Sequence, residues 1–290
     1  MLKKILIYTF FTITTILAIL GLLFKLGILW KSPSYYNTES PKDYSDKIYG
    51  MDYHDSVIVK INPPYYYQAD LNKGKVLIMG ITHTVDPSDS QLTVLEKEWD
   101  KFKPTALLVE GRMGFLFKWF QDPVTKYGEG GKSKSLAHRD GVSFYTWEPD
   151  RETEIREMVS KFGAEKTALF YSLRPYFSSM RFGKPASPDA VMEENIRSRT
   201  DYNQLRGKIS SIAQVDSIWK KDFPNEKDWR DYSDEYGWPE GYFTGMALYS
   251  NIIRDVHMLN IIDELTEKGE RVFVTMGMSH AVRIQKAFGR

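Results

Sequence analysis

Two short apolar segments near opposite ends of the chain share one pattern, in which a predicted strand stops at a glycine and a histidine follows. The first is residues 75–83 (KVLIMGITH) and the second is residues 271–280 (RVFVTMGMSH). Apolar runs of this length, bounded by glycine, are typical of strands buried on both faces of a parallel sheet. Ligands of open α/β sheets bind beyond the carboxyl ends of the strands. The pattern therefore predicts that His83 and His280 face one crevice.

Each motif also has a simpler interpretation, in which the glycine ends a strand and the histidine hydrogen-bonds in a turn. Neither motif alone decides between a turn and a functional site. The chain contains only 5 histidines, however, and two of them fall in matching G-x-[T/S]-H contexts. The pair therefore favours a shared site built from His83 and His280.

An acidic side chain follows a third predicted strand. Residues 105–109 (TALLV) form a short buried run, and Glu110 follows it directly, before a glycine. Its carboxylate would reach the same sheet edge as the two histidines; the alternative is a salt bridge to Arg112 or a helix-capping role. Two imidazoles and a carboxylate suit Mn, Co or Zn and leave a position open for water. The candidate metal ligands are therefore His83, Glu110 and His280.

Without a metal, the same residues can act on water directly. His83 would be the general base, oriented by Glu110. Arg254 and His280 would hold the developing oxyanion. Arg254 lies near the apolar stripe of a predicted helix, residues 242–268, where an arginine needs a carboxylate or a substrate oxygen as its partner. The four residues are thus predicted to form one hydrolytic unit.

Two further residues have an open assignment. Glu148 follows the predicted strand of residues 142–147, where it is either a ligand or base, or an acidic residue that precedes a helix. His257 lies three residues after Arg254 and shares its helix face. We interpret His257 as a hydrogen-bonded histidine at the edge of the core rather than as a ligand.

The N-terminus carries an apolar run long enough to cross a membrane. Residues 5–24 contain no charged side chain, and about 20 apolar residues are enough for a helix to span a hydrocarbon core. A cleaved signal peptide is the alternative, but the run is long and no A-x-A-like site follows it. Lys3 and Lys4 precede the run, although lysines also flank its far end. The N-terminus is therefore predicted to be cytoplasmic and the main domain extracytoplasmic.

Composition places the rest of the chain among ordinary globular proteins and narrows its chemistry. Hydrophobic residues make up 42% of the sequence, charged residues 27%, and the formal net charge is +1. A nucleic-acid-binding protein needs a basic face, so no nucleic-acid partner is expected. The sequence contains no cysteine, which excludes disulfides, thiolate metal sites and cysteine nucleophiles. A serine nucleophile is not indicated either, since no G-x-S-x-G occurs.

Segment boundaries predict a membrane anchor, a tether and one α/β domain. Residues 1–31 form the predicted transmembrane anchor, and residues 32–55, rich in Ser, Pro, Tyr and Asn, form the tether. Residues 56–290 form the domain, whose central sheet is expected to be mostly parallel or mixed and flanked by helices. Within it, residues 180–241 are interpreted as a helical lid or a substrate-binding segment.

Two shorter segments are assigned from local pattern. Residues 56–61 alternate between polar and apolar side chains, which predicts a strand. Residues 121–140 are rich in Gly, Lys and Ser and are interpreted as a loop that exposes His138. The GEGGKSKS stretch in that loop is not a phosphate-binding loop, because G-x-x-x-x-G-K-[S/T] after a strand is missing.

These residues resemble a known family, the TraB/GumN/TIKI group, which is related to the erythromycin esterases and the ChaN-like proteins. The resemblance covers residues 75–120 and 242–288. The features that carry it are Gly80-x-x-His83, the strand-end Glu110, Arg254 on the penultimate helix and Gly277-x-x-His280. The resemblance implies an α/β fold with a hydrolytic site built from those residues.

The branches of this group differ in chemistry, and the resemblance leaves two versions open. TIKI-type proteins are metal-dependent proteases that use Mn or Co, whereas erythromycin esterases cleave a lactone with a histidine that acts on water. Residues 254–260 (RDVHMLN) are similar to the esterase branch, while the first histidine motif lacks that branch's usual continuation. The implied substrate is a peptide in one version and a small-molecule ester or lactone in the other.

Two classes other than a hydrolase remain open from the sequence. A membrane-tethered binding or signal-inhibiting module could use the same crevice without chemistry. A structural envelope protein is the third class, and the histidine pair counts against it. Convergence of His83, His280 and Glu110 favours the hydrolase, whereas an unconverged pair would favour binding alone.

Overall fold

Helices and strands are mixed up to residue 146, and residues 151–267 contain helices without a strand among the described residues. The structure, a computed structural model, describes residues 2–58, 60–71, 73–180, 183–234 and 237–289, without the side chains of residues 2, 51, 52, 54 and 55. The helices are α1 (Leu2–Lys25), α2 (Met51–Ile58), α3 (Ser90–Phe102), α4 (Pro123–Asp140), α5 (Arg151–Phe162), α6 (Ala164–Ser179), α7 (Pro188–Arg199), α8 (Ile212–Asp222), α9 (Tyr242–Glu267) and α10 (Met278–Ile284). The strands are β1 (Leu29–Trp30), β2 (Ser34–Tyr35), β3 (Tyr65–Leu71), β4 (Gly74–Ile81), β5 (Ala106–Val109), β6 (Leu116–Phe117), β7 (Ser143–Thr146) and β8 (Arg271–Gly277).

Six of the strands form a mixed, mostly parallel sheet in the order β2-β7-β5-β8-β4-β3. Only β3 is antiparallel to its neighbour, β4, and the other pairs are parallel. The strands β1 and β6 form a separate antiparallel pair. The predicted α/β fold with a mixed, mostly parallel sheet flanked by helices is therefore confirmed.

The central strands are largely apolar because helices cover both faces of the sheet. All residues of β5 are buried, as are those of β8 after its first residue. On one face, Leu77, Leu107 and Phe273 pack with Trp99 of α3 and Leu136 of α4. The helix α10 packs against β3 and β4. Burial of this kind fixes the strand ends, and with them the side chains that follow each strand.

The chain divides into two compact units. The first comprises Met1–Glu148 and Asp255–Arg290 and contains the sheet, and the second is Pro149–Arg254. The second unit is helical and has its own core, rich in aromatic side chains that include Phe177, Trp219 and Phe243. Gly163 separates two of its helices, α5 and α6. The assignment of residues 180–241 as a lid stays a prediction.

The N-terminal helix α1 is long and apolar enough to span a membrane. The segment Lys3–Lys25 has a mean hydropathy of 2.3, and none of it is buried by the rest of the chain. The helix ends in a Schellman-type turn: the Ile28 N–H donates to the Leu23 carbonyl at 3.0 Å and the Gly27 N–H to the Phe24 carbonyl at 3.1 Å. Gly27 has a φ of +65°, which favours glycine at this position.

Three local predictions are wrong. Residues 121–140 are not a loop, because residues 123–140 form α4. His138 is half-buried rather than exposed, and its ring stacks on Trp30 with centroids 5.6 Å apart. Residues 56–58 close α2 instead of opening a strand, and residue 59 lies outside the described residues. The predicted tether also holds regular structure, since β2 adds to the sheet beside β7.

Lys134 of α4 is a fully buried lysine next to the segment that leaves α1. Its Nζ donates to the Lys31 carbonyl at 2.5 Å and lies 4.8 Å from the centroid of the Trp30 ring. Burial, with a smaller contribution from the charge of Lys31, lowers the pKa of Lys134 to about 8. The folded chain therefore holds this proton less tightly than the unfolded chain does.

Stability should rise with pH above about 8 because of Lys134. Between the folded pKa of about 8 and the ordinary lysine pKa of 10.5, the unfolded chain binds more protons, so the free energy of unfolding increases with pH. From pH 8 to 9.5 we expect a gain of about 1.5 kcal/mol from this group. In Lys134→Met this component of the slope should be absent. Chemical unfolding of both proteins in detergent at pH 8 and pH 9.5 measures this difference. An equal rise in the free energy of unfolding with pH in both proteins would contradict the lowered pKa of Lys134.

Candidate functional site

The ends of three adjacent strands supply the candidate site. Because β8 lies between β4 and β5, the carboxyl ends of these parallel strands meet at one sheet edge. His83 follows β4 by two residues, Glu110 follows β5 directly, and His280 lies in the first turn of α10, which starts where β8 ends. The two motif strands, β4 and β8, are therefore parallel neighbours in the sheet.

Glu110 lies between the two imidazoles. The Nε2 atom of His83 is 4.0 Å from Oε2 of Glu110, and Nε2 of His280 is 3.9 Å from Oε1 of the same carboxylate. The backbone N–H of Gly277 donates to Glu110 Oε2 at 2.7 Å, which fixes the carboxylate against the end of β8. The structure thus brings three of the four predicted catalytic residues together.

The His83 ring is fixed at Nδ1 by a carboxylate that is not among the residues predicted from the sequence. Its Nδ1 lies 2.6 Å from Oε1 of Glu129 on α4. The Glu129 side chain is 10% exposed, whereas that of His83 is 54% exposed. Gly128 interrupts the helix with a φ of +57°, and a Cβ there would lie 2.5 Å from the Thr84 carbonyl oxygen. A glycine at this kink therefore lets α4 approach the loop that carries His83.

His280 is held in the same way by a second carboxylate. Its Nδ1 lies 2.5 Å from Oδ1 of Asp255 on α9, and the Asp255 side chain is completely buried. Nη2 of Arg283, one turn further along α10, lies 3.3 Å from Oδ2 of Asp255. The Trp147 ring meets the His280 ring edge-on at 5.2 Å, and its indole N–H donates to the Thr275 carbonyl at 3.0 Å. These contacts leave His280 with a single orientation.

The two motif glycines provide space for the opposite motif. A Cβ on Gly277 would lie 2.9 Å from Nε2 of His83, so the second glycine makes room for the first histidine. A Cβ on Gly80 would lie 2.7 Å from the Cβ of Ala281, the residue after His280. The G-x-[T/S]-H repeat is therefore explained by steric contact between the motifs as well as by the end of each strand.

The hydrogen bonds determine which nitrogen of each ring is available. A carboxylate accepts from Nδ1 of His83 and another from Nδ1 of His280, so both Nδ1 atoms carry a proton. In the neutral rings, Nε2 is then the unprotonated nitrogen, and both Nε2 atoms are near Glu110. Separations of 3.9 to 4.0 Å exceed a direct hydrogen bond and are short enough for one bridging water.

The donor atoms at the strand ends have the chemistry of a divalent metal site, but not its spacing. Two imidazole nitrogens backed by carboxylates, with a third carboxylate between them, are the ligands and outer partners typical of Mn, Co or Zn. Nevertheless, no group of three or more His, Asp or Glu side chains in the part of the chain that the structure describes is close enough to hold a metal. Metal binding by His83, Glu110 and His280 therefore stays a prediction.

The remaining candidates have contacts of their own. Arg254 is the last residue of the second unit, is 7% exposed, and donates from Nη1 to Asn251 Oδ1 at 3.2 Å. His257 Nδ1 lies 2.9 Å from the Trp147 carbonyl oxygen, in agreement with a hydrogen-bonded core-edge histidine. The Glu148 N–H donates to Thr146 Oγ1 at 3.2 Å. The catalytic roles of Arg254 and Glu148 stay predictions.

Sequence reasoning missed Glu129 and Asp255. Asp255 carried a usable signal, because it lies on the buried stripe of α9 together with Met258, Leu259 and Ile262. A carboxylate on an apolar stripe needs a partner. Glu129 carried little signal beyond an acidic residue inside a glycine-rich segment.

No protein-family model, curated protein or solved structure matches the chain. The resemblance to the TraB/GumN/TIKI group accordingly stays a proposal, and the chemistry of the site must be argued from the residues themselves.

Proposed function

We propose that the chain is a membrane-anchored hydrolase in which His83, Glu110 and His280 act on one water molecule. The observation that carries the proposal is that both imidazoles present Nε2 within 4.0 Å of the same carboxylate. Each ring is fixed by a second carboxylate at Nδ1, Glu129 for His83 and Asp255 for His280. A site that only binds a ligand needs polar groups but no oriented acid and base. Two histidine–carboxylate pairs in fixed orientation are typical of general acid–base catalysis.

His83 is the proposed general base. Its ring is the more exposed of the two, so water and substrate reach Nε2. When Nε2 takes the proton of the attacking water, the ring becomes positively charged, and the Glu129 carboxylate at 2.6 Å stabilises that charge. Glu110 accepts a hydrogen bond from the other O–H of the same water and so orients the water oxygen toward the substrate carbonyl carbon. The proton on His83 is then given to the leaving group.

His280 is the proposed oxyanion partner. It is 5% exposed, its Nδ1 lies 2.5 Å from Asp255 Oδ1, and its Nε2 lies on the side of Glu110, where an Nε2–H would donate to developing negative charge. Arg254 stays the proposed second donor. If a divalent metal binds, His83, Glu110 and His280 would hold it, and it would supply a bound water of lowered pKa.

The substrate classes that fit are esters, lactones and peptides, because each has a carbonyl carbon open to attack by water. This set matches the two activities of the group that the motifs resemble, and membership in that group is part of the proposal. Purified full-length protein in detergent should hydrolyse a member of a panel of aryl esters, lactones and short peptides. If activity survives chelation and falls at low pH as one group with a pKa near 6.5 is protonated, the metal-free version holds.

Loss on chelation with recovery on Mn, Co or Zn would instead support the metal version. Substrate binding to the crevice without turnover, with or without metal, would favour the alternative, a membrane-tethered binding or signal-inhibiting module. The test thereby separates three outcomes with one preparation of the protein.

Glu129→Gln should lower kcat by roughly 10- to 100-fold, with KM nearly unchanged. The amide keeps the size of the side chain but removes the charge that stabilises protonated His83 at 2.6 Å. Glu96→Gln is the matched control, since Glu96 pairs with Lys132 on the outer surface of α3 and α4. Steady-state kinetics of the two variants decide the matter, and an unchanged kcat in Glu129→Gln would remove Glu129 from the mechanism.

The proposed topology places the N-terminus in the cytoplasm and the main domain outside it, because the positive residues Lys3 and Lys4 precede the uncharged run of α1. Full-length protein should stay in the membrane fraction after carbonate washing. In intact spheroplasts, added protease should degrade the main domain and spare an N-terminal tag. A mature N-terminus near residue 31 would contradict the anchor, and protection of the domain would reverse the orientation.

A further inference from the structure

The segment that leaves α1 is paired at once with another part of the same unit. Three residues after Lys25, the carbonyl of Ile28 accepts the Lys118 N–H at 2.9 Å. The strand β1 then pairs with β6 in the register Leu29 with Phe117. Trp30 is 1% exposed and its indole N–H donates to the Gly27 carbonyl at 2.8 Å. The end of α1 is thus attached directly to β6 by hydrogen bonds, with no free linker.

The residues around β6 are apolar, aromatic and exposed. Phe115 is 57% exposed, Trp119 63% and Phe120 79%. Outside α1, the only other large hydrophobic side chains that are exposed in the described part of the chain are Leu26, directly after α1, Tyr66 and Val85. The Phe117 ring lies 5.2 Å from the Trp119 ring and 4.9 Å from the Phe120 ring. We name Phe115, Phe117, Trp119 and Phe120 the aromatic edge.

Distance along the chain places the aromatic edge close to the membrane surface. The Ile28 N–H donates to the Leu23 carbonyl of α1 at 3.0 Å, and the Ile28 carbonyl accepts the Lys118 N–H at 2.9 Å. One residue spans at most about 3.6 Å, so the backbone at Lys118, directly after β6, lies within roughly 10 Å of the last turns of α1. The polar headgroup layer on each side of a bilayer is itself about 5 to 7 Å thick. If α1 crosses the bilayer, the aromatic edge therefore lies at or close to the headgroup layer.

The chemistry of the edge matches a membrane interface better than a protein partner. Aromatic rings favour the boundary between headgroups and acyl chains, and lysines beside them reach outward to phosphates. Lys118 lies inside the edge and is exposed, and Lys25 and Lys31 flank β1 and are exposed as well. Carboxylates are missing from residues 111–120. An anionic lipid surface therefore meets apolar rings and positive charge together.

We infer that the aromatic edge inserts into the lipid interface from which α1 emerges, so that the first unit lies against the bilayer. This inference goes beyond the proposed hydrolase activity and does not depend on it; it depends on α1 as a transmembrane helix. With two fixed points, the helix and the aromatic edge, the unit cannot rotate freely about α1. The site is thereby held at one height above the membrane.

The chain has no cysteine, so single labels can be placed without other changes. Phe120→Cys in the full-length chain is labelled with an environment-sensitive fluorophore and reconstituted into phosphatidylcholine/phosphatidylglycerol vesicles. The control is Lys101→Cys on α3, where the native side chain is 77% exposed and charged. We expect the label at 120 to emit at shorter wavelength, to be quenched by nitroxide on the lipid, and to be several-fold less accessible to iodide than the label at 101.

A second variant tests whether the neighbouring rings hold the label in the lipid. Adding Phe115→Ser and Trp119→Ser to Phe120→Cys should restore iodide access and abolish lipid quenching, while the protein stays bound to the vesicles through α1. Equal iodide access at 120 and 101 in the starting pair would overturn the inference. Protection from iodide without lipid quenching would also overturn it, because another protein surface would then cover the edge. Failure of the chain to remain in vesicles would overturn it together with the anchor.

Discussion

Replacing either motif histidine by alanine should lower kcat for a responsive ester, lactone or peptide by about 10²- to 10⁴-fold. The His83→Ala variant loses the group that takes the proton from water. The His280→Ala variant loses the donor whose Nε2 lies 3.9 Å from Glu110 Oε1. The two losses should not add. Once one member is gone, the double variant His83→Ala/His280→Ala should be little worse than the more damaging single variant.

Stability separates these two variants. His83 is half-exposed, so water can replace it beside the Glu129 carboxylate at 2.6 Å, and its removal should lower the free energy of unfolding by no more than about 1 kcal/mol. His280 is buried on Asp255, and its removal should destabilise by about 1 to 3 kcal/mol. His138→Ala is the control for turnover. His138 lies on α4, packs between the rings of Trp30 and Phe144, and belongs to no proposed step. Wild-type turnover in the double variant would end both hydrolytic versions and leave the binding module.

The strands of the site could be predicted because their signal is local. Residues 75–81 and 271–277 are mostly apolar runs with a glycine at or next to the last position. This local pattern is enough to predict a strand that is buried on both faces. The placement of Glu110 between the histidines depended on a further step, that β8 lies between β4 and β5. The sequence indicated neighbouring strands but did not specify their order, which long-range packing determines.

The helix α4 was missed because glycine is usually a sign of a loop. Residues 128–131 include three glycines, each unfavourable in a helix interior by about 1 kcal/mol relative to alanine. Here close packing requires them: a Cβ on Gly131 would lie 2.0 Å from the Pro123 carbonyl oxygen. Asp122, which caps the helix, and Pro123 in its first turn were the signals available in the sequence. Tertiary packing outweighed local propensity, and Glu129 was lost with the helix.

Asp255→Ala should be the most destabilising single change in the site. Asp255 is completely buried and holds two side chains that are themselves buried, His280 at 2.5 Å and Arg283 at 3.3 Å. Among the described residues, Nε and Nη2 of Arg283 make no hydrogen bond, so the nearby carboxylate is the main compensation for that charge. Removing it leaves a buried guanidinium without its counter-charge, which typically costs about 3 to 5 kcal/mol.

A second substitution tests whether the buried charge is the cause. In Asp255→Ala/Arg283→Met no uncompensated guanidinium remains, so the double variant should be more stable than Asp255→Ala by at least about 1 to 2 kcal/mol. Asp255→Asn, which still accepts a hydrogen bond from His280 Nδ1, should lie between wild type and Asp255→Ala. Denaturant unfolding of all four proteins in one detergent gives these differences. A loss below about 1 kcal/mol in Asp255→Ala, or no recovery in the double variant, would show that Asp255 does not hold this charge. In each destabilised variant that still folds, turnover should fall as well, because His280 loses the carboxylate that fixes its Nε2 beside Glu110.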